Sequence, residues 1–279
     1  MDGNQMKSTG SGSWVAANWR IICFGAAVVL GFSVLGQEVR AAEADALLQE
    51  IEASGALEKA IERVLEKLAD KQRRAQEFEQ GQEAERRAKM AENVRPIDPA
   101  RDHILGPLDA QISIIEYSDF ECPYCKRFHE TPQQVVKTLA PAVNLVFRHF
   151  PLDFHDPMAT REAIGALCAS RQGGHQKFWA FANAVMVQTE GNGKGIPGKN
   201  DPLMALARLL KLDAQKFQDC MKSKEVAKRV RDDIAEGANA GINGTPGVIL
   251  RNNKTGKVIA LAGAVPDVVL IQKIKELSE

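Results

Sequence analysis

The hydrophobic residues change their spacing near residue 95, and this change predicts two parts of different structure. Between residues 43 and 95 apolar side chains recur at intervals of three and four, which is typical of one face of an amphipathic helix. Ser54-Gly55 interrupts the pattern, and Ser54 is placed to cap a second helix. The pattern therefore predicts a short helix followed by a long one that Pro96 and Pro99 end.

The apolar face of these helices, here called the stalk stripe, needs a partner to cover it. Its members are large aliphatic residues among charged ones: Leu47, Leu48, Ile51, Leu57, Ile61, Val64, Leu65 and Leu68. After Leu68 the stripe fades, and opposite charges at helical spacing over residues 77–95 indicate a solvated spacer. We expect the stalk stripe to bind a second copy of the chain, and the alternative is a helix folded back on its own domain.

The remainder of the chain has the pattern of an α/β domain. Apolar runs predict strands at residues 112–117, 143–147, 248–250 and 258–261. Helical patterns follow the first strand, fill most of the stretch between the second and third, and end the chain. This order predicts an α/β domain at residues 96–279 with a helical insertion at about 157–240, preceded by an α-helical oligomerisation stalk and linker at residues 42–95.

The first 41 residues have the features of a secretory signal peptide. Lys7 and Arg20 precede an apolar run at residues 21–36, and small residues lead to Ala41. The run is shorter than the about 20 residues that a membrane-spanning helix needs, so an uncleaved anchor is the weaker interpretation. Cleavage after Ala41 would remove Cys23 and deliver the mature chain to an oxidising compartment, which we expect to be the periplasm.

Composition narrows the functional classes. The chain has 36 Lys and Arg residues against 36 Asp and Glu residues, so its formal net charge of zero gives no support to nucleic-acid binding. With 44% hydrophobic and 26% charged residues, it has the composition of a folded protein rather than a disordered one. The chain contains 5 cysteines, too few for a disulfide-rich miniprotein, so each needs its own explanation.

The most informative block, Cys122-Pro123-Tyr124-Cys125, lies between a predicted strand and a predicted helix. At a helix start, unpaired backbone N–H groups and the positive end of the helix dipole stabilise a thiolate. We therefore expect Cys122 to be the attacking nucleophile and Cys125, one turn later, the resolving thiol. Pro123 suits the first turn because its missing N–H would be unpaired there in any case.

Two other uses of this pair carry less weight. A structural zinc site needs four ligands, and the cysteines and histidines of the sequence offer no second closely spaced pair. A purely structural disulfide is disfavoured because a two-residue loop at a helix start is accessible and labile. The expectation is a redox-active dithiol with no metal and no other cofactor.

A second motif, Gly244-Thr245-Pro246-Gly247, immediately precedes a predicted strand. Together with the dithiol block, residues 148–152 and residues 176–179, it resembles the DsbA-like thiol–disulfide interchange proteins, over about residues 98–279. The resemblance implies a thioredoxin fold with a helical insertion. It also implies a cis Thr245–Pro246 bond packed against the dithiol, with Pro123, Tyr124, Thr245 and Pro246 contacting the substrate.

Three further residues complete the expected set. Glu116 interrupts an apolar strand six residues before Cys122, and relatives carry an acid at the matching place, where a buried carboxyl can relay a proton. The alternative is a glutamate at a strand edge that faces solvent. Cys168 and Cys220 both fall in the helical insertion, where an oxidising compartment favours a structural disulfide over free buried thiols.

The direction of the reaction depends on redox poise and partners. Tyr124, Thr245 and the association helix resemble dimeric isomerases of the DsbC and DsbG type, whereas strongly oxidising relatives often carry histidine in place of Tyr124. We therefore expect a homodimeric disulfide isomerase or reductase that acts on misfolded secreted proteins and uses a DsbD-like membrane reductant. The alternatives are a dithiol oxidase of reduced secreted proteins with a DsbB-like membrane oxidant, and a non-catalytic chaperone or copper-binding thioredoxin-like protein.

Overall fold

The computed structural model describes residue 40 and residues 42–279, and the predicted signal peptide otherwise lies outside the described residues. The chain divides into two compact units, one ending at Phe78 and the other spanning Glu79–Glu279. Within the described part of the chain, no helix combines the length and the apolar character that crossing a membrane requires.

The described part of the first unit is helical. Residues 42–53 are helical, a turn follows at Ser54 and Gly55, and helix α1 (Ala56–Ala91) begins directly after it. Ser54 Oγ accepts a hydrogen bond from the Ala56 N–H at 3.2 Å, and Gly55 has a φ of +61°, which suits glycine. The eight residues of the stalk stripe are between 37% and 61% exposed, so the stripe lies open to solvent along its length.

A five-stranded sheet forms the centre of the second unit, in the order β1-β3-β2-β4-β5. The strands are β1 (His103–Leu105), β2 (Ile112–Ser118), β3 (Val143–His149), β4 (Gly247–Asn252) and β5 (Val258–Ala262). Strands β2 and β3 are parallel, and the other neighbours are antiparallel. Every residue of β2 and β3 is buried, as their continuous apolar runs predict for strands covered on both faces. This architecture confirms the predicted fold class.

The helices follow the expected order. They are α2 (Pro123–Phe128), α3 (Glu130–Leu139), α4 (Met158–Ser170), α5 (Gly174–Gln188), α6 (Pro202–Leu209), α7 (Ala214–Met221), α8 (Lys224–Asn239) and α9 (Asp267–Ser278). Helices α4 to α8 lie between β3 and β4 along the chain. The side chains of Asp201, Asp213 and Ser223 cap α6, α7 and α8 by accepting backbone N–H groups, which explains where these helices begin. A disulfide between Cys168 and Cys220 joins α4 to α7.

Strand β1 is absent from the sequence-based prediction. It pairs with β3 in antiparallel register, with His103 opposite Phe147 and Leu105 opposite Leu145. Three residues are too few to show an alternating pattern, so only the pairing with β3 reveals this strand.

The end of α1 packs into the second unit. Ala91 is fully buried and Val94 is 3% exposed, and both belong to the apolar cluster that contains Ile115 and Val146 of the sheet. This part of the chain thus differs from the solvated spacer expected for residues 77–95. The few apolar residues of α1 that face the sheet lie among many charged residues, so the sequence pattern does not reveal this packing.

A buried ion-pair network holds the same segment. Arg148 is fully buried on β3, and its Nε lies 3.2 Å from Asp102 Oδ1, while its Nη1 lies 3.0 Å from Glu236 Oε1. Asp102 Oδ2 also accepts a hydrogen bond from Arg95 Nη1 at 2.8 Å. Because buried charges are costly unless they are paired, these contacts fix the position of the chain that follows α1.

Candidate active site

The dithiol lies where β2 leads into α2. Cys122 is the N-cap residue of α2 and Pro123 takes its first position. Cys122 is 3% exposed and Cys125 is fully buried, and both are free thiols. Cys122 Sγ lies 3.4 Å from the carbonyl oxygen of Thr245, and the Thr245–Pro246 peptide bond is cis. The structure therefore brings together the two motifs that lie far apart in the sequence.

The two sulfur atoms have opposite acid–base character. A hydrogen bond from Cys125 lowers the pKa of Cys122 to about 5, with further support from Thr245 and from the backbone N–H groups of Tyr124 and Cys125, against the opposing effect of burial. Burial raises the pKa of Cys125 well above its usual range, and the nearby Cys122 and Glu116 raise it further. At neutral pH Cys122 is the thiolate, and Cys125 keeps its proton.

Glu116 lies on the central strand β2, between β3 and β4, rather than at an edge of the sheet. It is fully buried, and neither of its carboxyl oxygens has a hydrogen-bond partner among the described residues. Burial raises the pKa of this carboxyl to about 7. A carboxyl with this pKa, close enough to Cys125 to raise the pKa of that thiol, can exchange a proton at neutral pH.

The remaining predicted contact residues border the dithiol. Tyr124 is 60% exposed, and the Arg127 guanidinium lies over its ring at 4.6 Å. Pro246 is buried and Thr245 is half-buried at the start of the chain segment leading into β4. These positions leave Tyr124 and Thr245 accessible to a partner molecule.

Two buried carboxyls, Glu121 and Glu162, lie near the dithiol. Glu121 is fully buried, accepts the Gly195 N–H at 2.9 Å and accepts the hydroxyl of Thr189. Glu162 on α4 is 2% exposed, and burial, reinforced by the negative charge of Glu121, raises its pKa to about 9. The hydrogen bond from the Gly195 N–H to Glu121 holds the glycine-rich loop at residues 191–200 beside Cys122. The sequence offers no signal for Glu162, since a lone glutamate in a helix is usually exposed.

Asp119 fixes the other side of the loop that precedes α2. Its Oδ1 accepts the Glu121 N–H at 2.8 Å, and its Oδ2 accepts the Leu152 N–H at 3.0 Å and lies 2.6 Å from His155 Nδ1. The loop that carries Cys122 is thus tied to the turn after β3 by a single carboxylate. Among the described residues there is no cluster of three His, Cys, Asp or Glu side chains suited to a metal ion.

A family model described as thioredoxin matches residues 99–263, more than half of the chain. The chain belongs to the thioredoxin family. Among solved structures it is similar to DsbA2 of Pseudomonas aeruginosa, with 34% identity, a TM-score of 0.56 and coverage of 63% of this chain and 94% of that one. A thioredoxin-like oxidoreductase from Silicibacter pomeroyi DSS-3 is 26% identical with a TM-score of 0.51, covering 64% of this chain and 92% of the other. The chain thus has a DsbA-like thioredoxin fold.

Curated relatives carry a different name. A Na(+)/H(+) antiporter NhaA 3 of Salinispora tropica is 29% identical over 173 residues, which are 61% of this chain and 25% of that protein. The chain therefore spans about a quarter of the length of these relatives, and their name describes much longer proteins.

Proposed function

We propose that the protein is a periplasmic, homodimeric disulfide isomerase and reductase of secreted proteins. The observation that carries this proposal is the stalk stripe, whose eight apolar residues lie open on the helical unit. A stripe of this kind at helical spacing is suited to pairing with a second copy of itself. In such a dimer, two dithiols would act on one misfolded chain while it is retained and its disulfides rearrange.

The reaction we propose begins at Cys122. Its thiolate attacks one sulfur of a substrate disulfide, so that a bond forms between Cys122 and that sulfur while the other substrate sulfur leaves as a thiolate. In isomerisation, the freed substrate thiolate attacks another disulfide of the substrate, and the substrate thiolate produced there then attacks the substrate sulfur of the mixed disulfide. This last attack forms a new substrate disulfide and releases Cys122 as a thiolate.

In reduction, Cys125 resolves the mixed disulfide. Glu116 accepts the Cys125 proton, the Cys125 thiolate attacks Cys122, and the substrate leaves as a thiolate that takes up a proton. The products are a reduced substrate and a Cys122–Cys125 disulfide. A membrane thiol reductant of the DsbD type would return the dithiol to its reduced form. The accessible Tyr124 and Thr245 would contact the substrate, with Pro123 and Pro246 shaping the surface between them.

A dithiol oxidase is the second candidate. The lowered pKa of Cys122 supports it, because a stable thiolate favours the reduced form of the dithiol and makes its disulfide a stronger oxidant. The similarity to DsbA2 over 94% of that chain also supports it. In this case a DsbB-like membrane oxidant would regenerate the Cys122–Cys125 disulfide, and the substrates would be reduced secreted proteins.

Refolding assays separate these candidates. The mature protein is added to a scrambled multi-disulfide substrate in glutathione buffer, and separately, in oxidised form, to the same substrate after full reduction. Efficient unscrambling with slow oxidation is the result expected for an isomerase, and fast oxidation without unscrambling would establish the oxidase. Stoichiometric protection that survives Cys122→Ala would instead show a chaperone without turnover.

A further inference from the structure

A groove of about 240 Å³ opens beside the Thr245–Pro246 bond. Its walls are the chain at residues 240–247, the end of β5 and the side chain of Arg87 on α1. We call it the loop groove. The other residues that line it are glycine, proline, small or aliphatic residues, Asn243 and Thr245, so Arg87 is the single charged side chain in its lining.

The end of α1 is held firmly against this loop. A Cβ added to Gly241, which has a φ of +86°, would lie 2.9 Å from Met90 Cβ, so the helix and the loop are in close contact. Asn93 Nδ2 also donates a hydrogen bond to the carbonyl oxygen of Asn239 at 3.2 Å. Arg87 precedes Met90 by about one helical turn, so its backbone is fixed beside the loop groove.

The positive charge of Arg87 is only partly neutralised within the chain. Glu83 accepts hydrogen bonds from Arg86 Nε and Nη2 at 2.8 Å and from Arg87 Nε at 2.9 Å. One carboxylate against two guanidinium groups leaves a net positive charge. Within the described part of the chain, Arg87 Nη1 and Nη2 have no hydrogen-bond partner, and a guanidinium with free N–H groups is well suited to bind a carboxylate.

The loop groove shares one residue with the surroundings of the reacting sulfur. Thr245 belongs to its lining, and the carbonyl oxygen of this residue lies 3.4 Å from Cys122 Sγ. A substrate chain that extends from Cys122 past Thr245 would enter the groove that Arg87 lines.

We propose that the loop groove binds the substrate segment beside the reacting cysteine and that Arg87 selects segments carrying aspartate or glutamate. This inference rests on the proposed role of Cys122. Arg87 acts on substrate choice by attracting a carboxylate into a groove that is otherwise uncharged. The stalk helix thus contributes a specificity residue to the thioredoxin-fold unit.

The test uses the reduced mature protein and short peptides with one cysteine in mixed disulfide with nitrothiobenzoate. The peptides differ only beside the cysteine, which is flanked by aspartate, alanine or lysine. The Cys122 thiolate attacks the peptide sulfur, nitrothiobenzoate leaves as a coloured thiolate, and Cys125 then releases the peptide. The second-order rate of colour release is measured for the wild type, Arg87→Gln, Arg87→Glu and the matched control Arg86→Gln. Both glutamine variants remove one partner of Glu83, but Arg86 does not line the groove.

We expect the wild type to react about threefold to tenfold faster with the aspartate peptide than with the lysine peptide, as a partly exposed ion pair permits. Arg87→Gln should abolish this preference, Arg87→Glu should reverse it, and Arg86→Gln should retain it. Equal wild-type rates for the two charged peptides, or equal loss of preference in Arg86→Gln, would overturn the assignment of Arg87. The alanine peptide reports separately on the proposed function: if the wild type releases no nitrothiobenzoate from it, the role of Cys122 is wrong.

Discussion

Replacing Ile61, Leu65 and Leu68 together with glutamine should dissociate the proposed homodimer. These side chains are 50%, 59% and 51% exposed, so about half of each is available for burial against a partner. Full burial of such a side chain contributes about 1.5–3 kcal/mol, so half corresponds to about 1 kcal/mol each. Six such side chains in a dimer give about 6 kcal/mol, which weakens association by a factor on the order of 10⁴. Glutamine keeps the helix, since it is a good helix former.

Sedimentation velocity at micromolar concentration checks this expectation, beside the scrambled-substrate assay and a peptide-reduction assay. The triple variant should sediment as a monomer, lose isomerisation and keep peptide reduction. Glu62→Gln with Glu66→Gln is the matched control, because both residues are exposed on the same helix outside the stalk stripe. A triple variant that stays assembled, or a wild type that is monomeric, would refute the reasoning.

Truncation gives a second arm of the same test. Deleting residues 42–78 leaves the packed end of α1 in place and should produce a folded, monomeric thiol–disulfide catalyst. Deleting residues 42–95 also removes the buried Ala91 and Val94 and the ion pair between Arg95 and Asp102, and should cost about 3–5 kcal/mol of folding free energy. Urea unfolding of the two truncated proteins measures the difference, and equal stabilities would contradict the packing of this segment.

Three further outcomes follow from the site and the disulfide. Glu116→Gln should slow resolution of the mixed disulfide about a hundredfold and remove the rise of that rate through pH 7. Quenched flow measures this rate, and the rate of attack by Cys122 should stay unchanged. Because burial raises the Glu116 pKa from 4.5 to about 7, the wild type should also lose stability relative to this variant as pH rises through that interval. Ultraviolet titration of the reduced protein should show one thiolate that forms near pH 5 and is absent from Cys122→Ala. Because the pKa of Cys122 is lowered from 9.0 to about 5 on folding, the reduced protein should become more stable as pH rises from 5 toward 9. Cys168→Ala with Cys220→Ala opens a loop of 52 residues and should cost about 4 kcal/mol in denaturant unfolding without changing peptide reduction; unchanged stability would contradict it.

Sequence patterns predicted the parts of this protein that depend on local chemistry. The continuous apolar runs of β2 and β3, the break at Ser54 and the position of Pro123 all follow from interactions within a few residues. Glu116 could be singled out because a charged residue inside an apolar strand conflicts with its surroundings unless it has a role. Its burial between two strands, which excludes the solvent-exposed alternative, needed the sheet order.

The features missed from the sequence depend on contacts between distant segments. Glu162 looks like any helical glutamate until the fold places it against Glu121, and Arg87 is one of many charges on α1 until its turn meets the loop before Pro246. The packing of Val94 has the same origin, because no periodic pattern marks a single apolar residue after a charged helix. Polar residues recruited by tertiary structure are therefore invisible to spacing alone.

The raised pKa of Glu162 has a consequence for how the proposed reaction responds to pH. Because this carboxyl holds its proton up to about pH 9, Glu162 stays neutral when the medium is acidified below that value. A change from slightly alkaline to slightly acidic medium instead protonates Glu116, whose pKa of about 7 lies in that interval. Under the proposed mechanism, acid slows resolution by Cys125 and leaves the attack by Cys122 intact, so a substrate stays longer in mixed disulfide with Cys122.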